Sequence, residues 1–239
     1  MKVEIISCLQ DNYSYLIIDE TNNLACIVDP SEASPVIDYL KNKDINLKYI
    51  LNTHHHFDHI GGNKELKKKY NSIVVGFKHD SERIPEIDIG LEDNEIWKSD
   101  NFVAKIIHVP GHTKGHICFH FYKDKLLFTG DTLFSLGCGR IFEGTYEQMF
   151  SSLNKIKAMP LDTQIYCGHE YTLNNSKFCI KHDSENLNLK KKIQNIQIKL
   201  KNSLPTIPST LKEELDCNIF LRAKDVKTFS KLRDLKDNF

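Results

Sequence analysis

Thr53-His54-His55-His56-Phe57-Asp58-His59 is the stretch on which the reading of this chain turns. His54, His56, Asp58 and His59 put four metal-competent side chains within six positions. Ligand pairs on a helix usually fall three or four residues apart, on one face. A two-residue step followed by adjacent ligands suits an extended segment entering a turn, with side chains fanning toward more than one centre. Downstream, three short apolar runs each end at a glycine beside another potential ligand. Phe102 to Val109, with Pro110, leads to Gly111-His112-Thr113; Leu126-Leu127-Phe128 leads to Thr129-Gly130-Asp131-Thr132; Gln164 to Cys167 leads to Gly168-His169-Glu170. Glycine at a strand end lets the backbone turn sharply and bring the next side chain to the rim of a sheet. Five histidines and two aspartates are more than one tetrahedral ion can use. With one carboxylate shared, they suit two ions that each hold three ligands of their own, and this arithmetic favours a two-metal hydrolase.

The rest of the chain mixes short strands and helices. Val3–Ile6, Tyr15–Ile18 and Ala25–Val28 have strand length and are separated by Asn- and Asp-rich turns. Ser34-Pro35 opens a helix to about Lys43, with serine as cap and proline in the first turn. Lys48–Leu51 is a strand feeding the histidine stretch, a helix follows Gly61-Gly62 to Tyr70, and Ile73–Val75 returns as strand. Phe102–Val109, Ile117–Tyr122 and Leu126–Thr129 are further strands, and Thr145–Lys157 is a helix with Met149, Leu153 and Ile156 on one face. The opening strands suggest antiparallel pairing, and later helices alternate with strands; two packed sheets covered by helices satisfy both. After Tyr171 strand-like runs disappear. Leu189, Ile193, Ile196 and Leu200 recur at helical spacing, Pro205 and Pro208 interrupt, Thr210-x-x-Glu213 reads as a capping box, and a last helix covers Asp225 to Lys236. A boundary is placed near residue 172.

Composition narrows the function classes. The 239 residues can bury a full core as one domain or two unequal ones. Lysine plus arginine and aspartate plus glutamate both number 32, so no net field draws in nucleic acid or an anionic membrane. Seven scattered cysteines without a C-x-x-C pair suggest free thiols in a reducing compartment. Met1–Ser7 shows no signal-peptide core, and no apolar run approaches the ~20 residues needed to span a bilayer. A cytoplasmic monomer without nucleic-acid or membrane partners is the expectation. No G-x-S-x-G elbow or G-x-x-x-x-G-K-[ST] loop supports a serine hydrolase or a nucleotide-binding enzyme.

His-x-His-x-Asp-His followed in order by Gly-His-Thr, Gly-Asp-Thr and Gly-His-Glu resembles the metallo-β-lactamase superfamily. Within it, Gly137-Cys138-Gly139-Arg140 and Tyr166-Cys167-Gly168-His169-Glu170-Tyr171-Thr172 resemble glyoxalase II, the hydroxyacylglutathione hydrolases. The similarity runs from Asp11-Asn12-Tyr13 to Lys236-Asp237-Asn238-Phe239. It implies an αββα sandwich of the α/β (α+β) class with a small C-terminal helical domain: residues 1–172 as the catalytic domain, 173–239 as the glutathione-binding one. His54, His56 and His112 would hold one divalent ion and Asp58, His59 and His169 the other, with Asp131 bridging. Zinc is the expected metal; His/Asp sites also accept iron and manganese, and ligand softness does not decide among them.

The implied reaction is hydrolysis of S-(2-hydroxyacyl)glutathione, typically S-D-lactoylglutathione to D-lactate and glutathione, the second step of methylglyoxal detoxification. A water bridging two divalent ions loses a proton near neutral pH and becomes the nucleophile, which places Asp58, His59 and Asp131 in the catalytic centre. A thiolate leaves readily, so no dedicated acid is required. Arg140, Tyr171, Arg233 and Lys236 would bind the glutathione moiety, arginine being suited to two-point recognition of a carboxylate. Arg140 replaces the lysine common in the family, and Phe142 stands where many members have a tyrosine. His116 is read as orienting the ligands and His55 as pointing away from them; His79, His108, His120 and His182 are read as structural or surface histidines. Two other classes stay open: an iron-dependent persulfide dioxygenase of the same superfamily, and a non-catalytic metal-binding protein.

Overall fold

The computed structural model describes residues 1–239 and contains two compact units, Met1–His108 with Gly115–Asp124, and Val109–Lys114 with Lys125–Phe239. In the first unit six strands pair in sequence order: β1 (Lys2–Cys8), β2 (Asn12–Asp19), β3 (Leu24–Val28), β4 (Asn46–Leu51), β5 (Ile73–Phe77) and β6 (Ile87–Leu91). β1 to β3 are antiparallel, as the run of short apolar stretches predicts. From β3 onward the pairing is parallel. Helix α1 (Ser34–Leu40) bridges β3 and β4, and α2 (Phe57–Ile60) with α3 (Asn63–Tyr70) bridges β4 and β5, the crossover that parallel neighbours need.

Leu16, Ile18, Ile27, Ile50 and Val74 of the sheet form one core with Val36, Leu40 and Leu66 of these helices. Tyr49 is next to Ile50 and so lies on the opposite face. There it meets Trp97 edge-on at 5.2 Å and Phe102 at 6.1 Å. These two belong to the antiparallel meander β7 (Ile96–Ser99), β8 (Phe102–His108) and β9 (Ile117–Phe121).

In the second unit β10 (Leu126–Gly130) runs parallel to β13 (Gln164–Cys167), which pairs antiparallel with the two-residue β14 (Ser209–Thr210). A small hairpin, β11 (Leu133–Phe134) and β12 (Gly137–Cys138), follows β10. Helix α4 (Tyr146–Lys157) buries Met149, Leu153 and Ile156, and Thr145 with Gln148 closes a capping box at its start. Four helices complete the chain: α5 (Thr172–His182), α6 (Leu187–Lys201), α7 (Leu211–Cys217) and α8 (Val226–Asp237). Phe178 of α5, Phe220 and Phe229 of α8 form their aromatic core, with rings 5.9 and 6.2 Å apart along the chain of contacts. Phe150 of α4 joins it at 5.8 Å from Phe229.

Several expectations need correction. Ser34 does not cap α1: the cap position is Ala33, with no side-chain bond, and Pro35 sits in the first turn. The helix stops at Leu40, since Asn42 takes a left-handed conformation (φ 64°). On α6 only Leu189 and Ile196 are buried, while Ile193 and Leu200 are half-buried. Strands β6 and β7 and helix α5 were not legible. By contrast Thr210 and Glu213 do close a capping box on α7, and Asp225 caps α8 by accepting from Thr228 N–H. No helix is long and apolar enough to cross a membrane.

Candidate metal centre and ligand cleft

The first unit presents His54, His56, Asp58 and His59 where β4 ends and the chain enters α2. Thr53 C=O accepts from Ile117 N–H at 2.9 Å, which ties this exit to the start of β9. The short turn α2 folds Asp58 and His59 back, so that the rings of His54 and His59 lie 4.2 Å apart and those of His54 and His56 4.7 Å apart. His59 Nε2 stands 3.6 Å from Asp58 Oδ2. Asn12 donates to both Asp58 Oδ2 and Asp58 C=O, at 3.0 and 3.1 Å. His116 is fully buried and stacks on His54 at 4.6 Å. His55 is turned to a separate partner, Asp80, at 3.0 Å.

One residue here went unnoticed in the sequence. Asp29, at the end of β3, accepts from Thr53 N–H at 2.7 Å, from the Thr53 hydroxyl at 2.6 Å and from His59 Nδ1 at 3.0 Å. The Thr53 hydroxyl proton is thus spent on Asp29, so Thr53 Oγ1 accepts from His54 Nδ1 at 3.0 Å. With Nδ1–H fixed on both His54 and His59, Nε2 is the basic nitrogen, as a metal ligand requires. Asp29, His54 and His59 each bring a ligand atom within 4.8 Å of the others. The signal that could have revealed Asp29 is an acid directly after the apolar run Ala25–Val28, the same placement that marks Asp131.

The second unit presents His112, Asp131 and His169. β10 and β13 are parallel neighbours, with Gly130 paired to Cys167, so Asp131 and His169 emerge side by side from their carboxyl ends. Gly111 (φ 156°) and Gly130 (φ 46°) hold backbone conformations that a side chain disfavours, just before His112 and Asp131. Asp131 Oδ2 lies 3.6 Å from His112 Nε2 and 3.3 Å from His169 Nε2. A carboxylate oxygen set between two imidazole nitrogens is the placement a bridging ligand needs. His112 Nδ1 donates to Arg140 C=O at 2.8 Å, which again leaves Nε2 as the basic nitrogen. The Tyr171 ring stacks on His169 at 4.7 Å, nearly parallel. Glu170 accepts from Thr206 N–H at 2.9 Å and from its hydroxyl, anchoring the segment that carries His169.

A cleft of about 430 Å³ in this unit has His112 and Asp131 among its walls, together with Arg140, Tyr171, Arg233 and Lys236. Arg140 is exposed, with Nε 3.3 Å from Asp237 Oδ1. Arg233 is not the exposed side chain that its place near the chain's end suggests. It is 5% exposed, donates to Cys138 C=O at 2.6 Å and to Asp237 Oδ1 at 2.9 Å, and lies over the Phe220 ring. Lys236 Nζ lies 5.4 Å from the Phe178 ring and 5.1 Å from the Phe239 ring; burial, then the Arg233 charge, holds its ammonium below the ordinary lysine range. Phe142 is exposed on the cleft wall, its ring 5.2 Å from that of His112. Cys138 lines the cleft too, but burial pushes its thiol up, away from a nucleophile's range.

The profile of the metallo-β-lactamase superfamily matches residues 10–169, and that of the hydroxyacylglutathione hydrolase C-terminus matches residues 170–239. The hydroxyacylglutathione hydrolase of Pelagibacter ubique (strain HTCC1062) is 68% identical over 239 residues, covering 100% of both chains. That of Methylococcus capsulatus (strain ATCC 33009 / NCIMB 11132 / Bath) is 41% identical over 248 aligned positions, covering 98% of this chain and 97% of its own. Among solved structures, the BLEG-1 B3 metallo-β-lactamase superposes with a TM-score of 0.71 at 23% identity, over 93% of this chain and 100% of that one. ETHE1 from Myxococcus xanthus gives 0.73 at 22% identity, over 98% and 90%. At such identities the likeness establishes the fold alone: the expected metallo-β-lactamase architecture, here followed by a helical C-terminal region. Divalent-metal binding accords with that family and with the His/Asp donor sets described above. With both profiles together spanning 10–239 and a 68% identical relative matched along its whole length, the chain belongs to the hydroxyacylglutathione hydrolase (glyoxalase II) family of the metallo-β-lactamase superfamily.

Proposed function

We propose that this chain is a binuclear metal-dependent thiolester hydrolase acting on S-(2-hydroxyacyl)glutathione, with S-D-lactoylglutathione as the typical substrate, released as D-lactate and glutathione. The observation that carries the reading lies in the second unit. The carboxylate set between two histidine Nε2 atoms, Asp131, borders the same cleft as three cationic side chains, Arg140, Arg233 and Lys236. A metal-bordered cleft with a cationic wall suits an acyl group attached to an anionic carrier. His54, His56 and His112 would hold one ion, Asp58, His59 and His169 the second, with Asp131 between them. Zinc is our assignment, iron and manganese being accepted by the same donors. Bound there, the ions would supply an acidified water and polarise the thioester carbonyl.

The chain's own residues do the rest. The fixed Nδ1–H bonds of His54, His59 and His112 keep each imidazole in its ligating tautomer. Asn12 fixes the rotamer of Asp58. Arg140, Arg233 and Lys236 read the carboxylates of the glutathione moiety, and the Tyr171 hydroxyl adds a contact beside His169. Hydrolysis adds water across the C–S bond: the hydroxyl goes to the acyl carbon, the proton to sulfur. A thiolate needs no strong acid to leave, so the cleft need not supply one. We assign residues 1–172 to the catalytic part and 173–239 to the glutathione-binding part. We place the enzyme in the cytoplasm as a monomer acting on a small molecule, in keeping with its zero net charge and seven free thiols. The test is hydrolysis of S-D-lactoylglutathione by protein of measured metal content, beside a thioester lacking glutathione. Turnover of the first alone, with two ions per chain, is expected; equal turnover of both, or activity with one ion, would sink the assignment.

A further inference from the structure

Asp237 is the one acidic side chain placed among the cations of the cleft wall. Its Oδ1 accepts from Arg233 Nη2 at 2.9 Å and lies 3.3 Å from Arg140 Nε, and all three residues line the cleft with Lys236. Helix energetics do not account for it. Asp237 is the last residue of α8, where the macrodipole disfavours negative charge, and an acid four residues C-terminal to its basic partner is the weaker orientation of such a pair. Its stabilisation comes from the two guanidinium groups. Arg233 is also held by Cys138 C=O, so the guanidinium stays in place whether or not Asp237 is bonded to it. An arriving carboxylate therefore finds two guanidinium groups that each already have one donor, Arg233 Nη2 and Arg140 Nε, engaged by a carboxylate of the chain.

Resting on the functional reading above, we propose that Asp237 is a built-in competitor for the substrate's carboxylate. It occupies Arg140 and Arg233 when no ligand is bound, exchanges places with an arriving anionic ligand, and so sets how tightly glutathione thioester and glutathione are retained. Asp237→Asn replaces ion-paired bonds by weaker ones in which only the guanidinium is charged. Glutathione should then bind more tightly, and KM for S-D-lactoylglutathione should fall, each by roughly three- to tenfold, with kcat unchanged or lowered as release slows. Asp237→Ser, smaller and also uncharged, should behave alike and covers the case in which the asparagine variant folds poorly.

The experiment measures glutathione binding by calorimetry and thioester turnover by steady-state kinetics, for wild type, Asp237→Asn and Asp234→Asn. Asp234 is on the same helix, bonded to Tyr146 and outside the cleft lining, so its variant removes the same charge without touching the arginines. Tighter binding and lower KM in Asp237→Asn alone support the proposal. Binding or KM that is unchanged or weakened overturns it, since Asp237 would then only brace the arginines. Equal tightening in Asp234→Asn overturns it as well, by reducing the effect to net charge. A wild type that neither binds glutathione nor turns over its thioester overturns the functional reading itself.

Discussion

Asp29→Asn tests the most exposed link in the metal-site argument, because it changes almost nothing except charge and one donor–acceptor match. Asp29 is 2% exposed and has φ 48°, a conformation that asparagine tolerates as readily as aspartate. Its two oxygens accept three bonds, from Thr53 N–H, the Thr53 hydroxyl and His59 Nδ1. An amide offers one oxygen, so either the Thr53 N–H or the pair on the other oxygen faces an NH2 group instead. At least one buried donor is left unsatisfied, and the surviving bonds lose their charge assistance. With ~1.5–3 kcal/mol for a bond to a charged group, the fold should lose about 2–4 kcal/mol. His59 is also freed from its fixed tautomer, so metal affinity should drop by roughly ten- to a hundredfold. Urea denaturation of metal-free protein reads the first quantity, and competition with a chelator reads the second. An apo-protein of unchanged stability, together with metal affinity within about twofold of wild type, would refute the reasoning from partner geometry.

Three further perturbations bear on the site. Arg233→Met removes the bonds to Cys138 C=O and Asp237; KM for the glutathione thioester should rise several-fold with kcat little changed, and stability should fall by about 1–3 kcal/mol for the carbonyl left unpaired. An unchanged KM would take the residue out of the ligand cleft. Lys236 has its folded pKa held below the ordinary 10.5, by burial first and then by Arg233, so the folded state bears a charging cost at neutral pH that fades as pH rises through the folded value toward 10.5. Over that alkaline window wild type should gain stability relative to Lys236→Met; a difference that stays constant from neutral pH to 10.5 would contradict the burial argument. Asp58→Ala should lower kcat by orders of magnitude and lose one ion per chain on metal analysis, and near-normal turnover with both ions retained would defeat its assignment.

Much of this arrangement was legible because its signals are local. Apolar runs ending at Gly111 and Gly130 marked strand exits, and the left-handed backbone there explains why glycine had to stand at those points. Thr210-x-x-Glu213 is a self-contained cap, needing no distant partner to form. What escaped was set by contacts remote in sequence. Asp29 matters only because Thr53 and His59 fold onto it. Asp237 matters only because Arg140, nearly a hundred positions earlier, comes within 3.3 Å. Helix α5 hid because its buried positions include Thr172, Asn175 and Ser176, which break any apolar stripe; Asn175 is tolerated there by donating to Ser135 C=O. β6 alternates burial weakly, so its membership comes from pairing with β5 rather than from its own pattern. Arg233 was placed correctly on its helix, but its depth of burial was not legible, since it comes from packing against Phe220 and Cys138, remote in sequence.

Every one of the seven cysteines is free and buried. Burial pushes the Cys167 and Cys179 thiols up to about 12 and Cys217 to about 11, and raises Cys138 even with Arg233 alongside. Thiolate is the form that attacks disulfides and electrophiles, so at neutral pH these sulfurs are nearly inert. On the proposed reaction each turnover liberates a small thiol in the cleft that Cys138 lines. A protonated, enclosed sulfur at that spot lets the enzyme handle such traffic without capping itself as a mixed disulfide. Titration with a thiol reagent should accordingly find no fast-reacting sulfur in the native protein and all seven after unfolding.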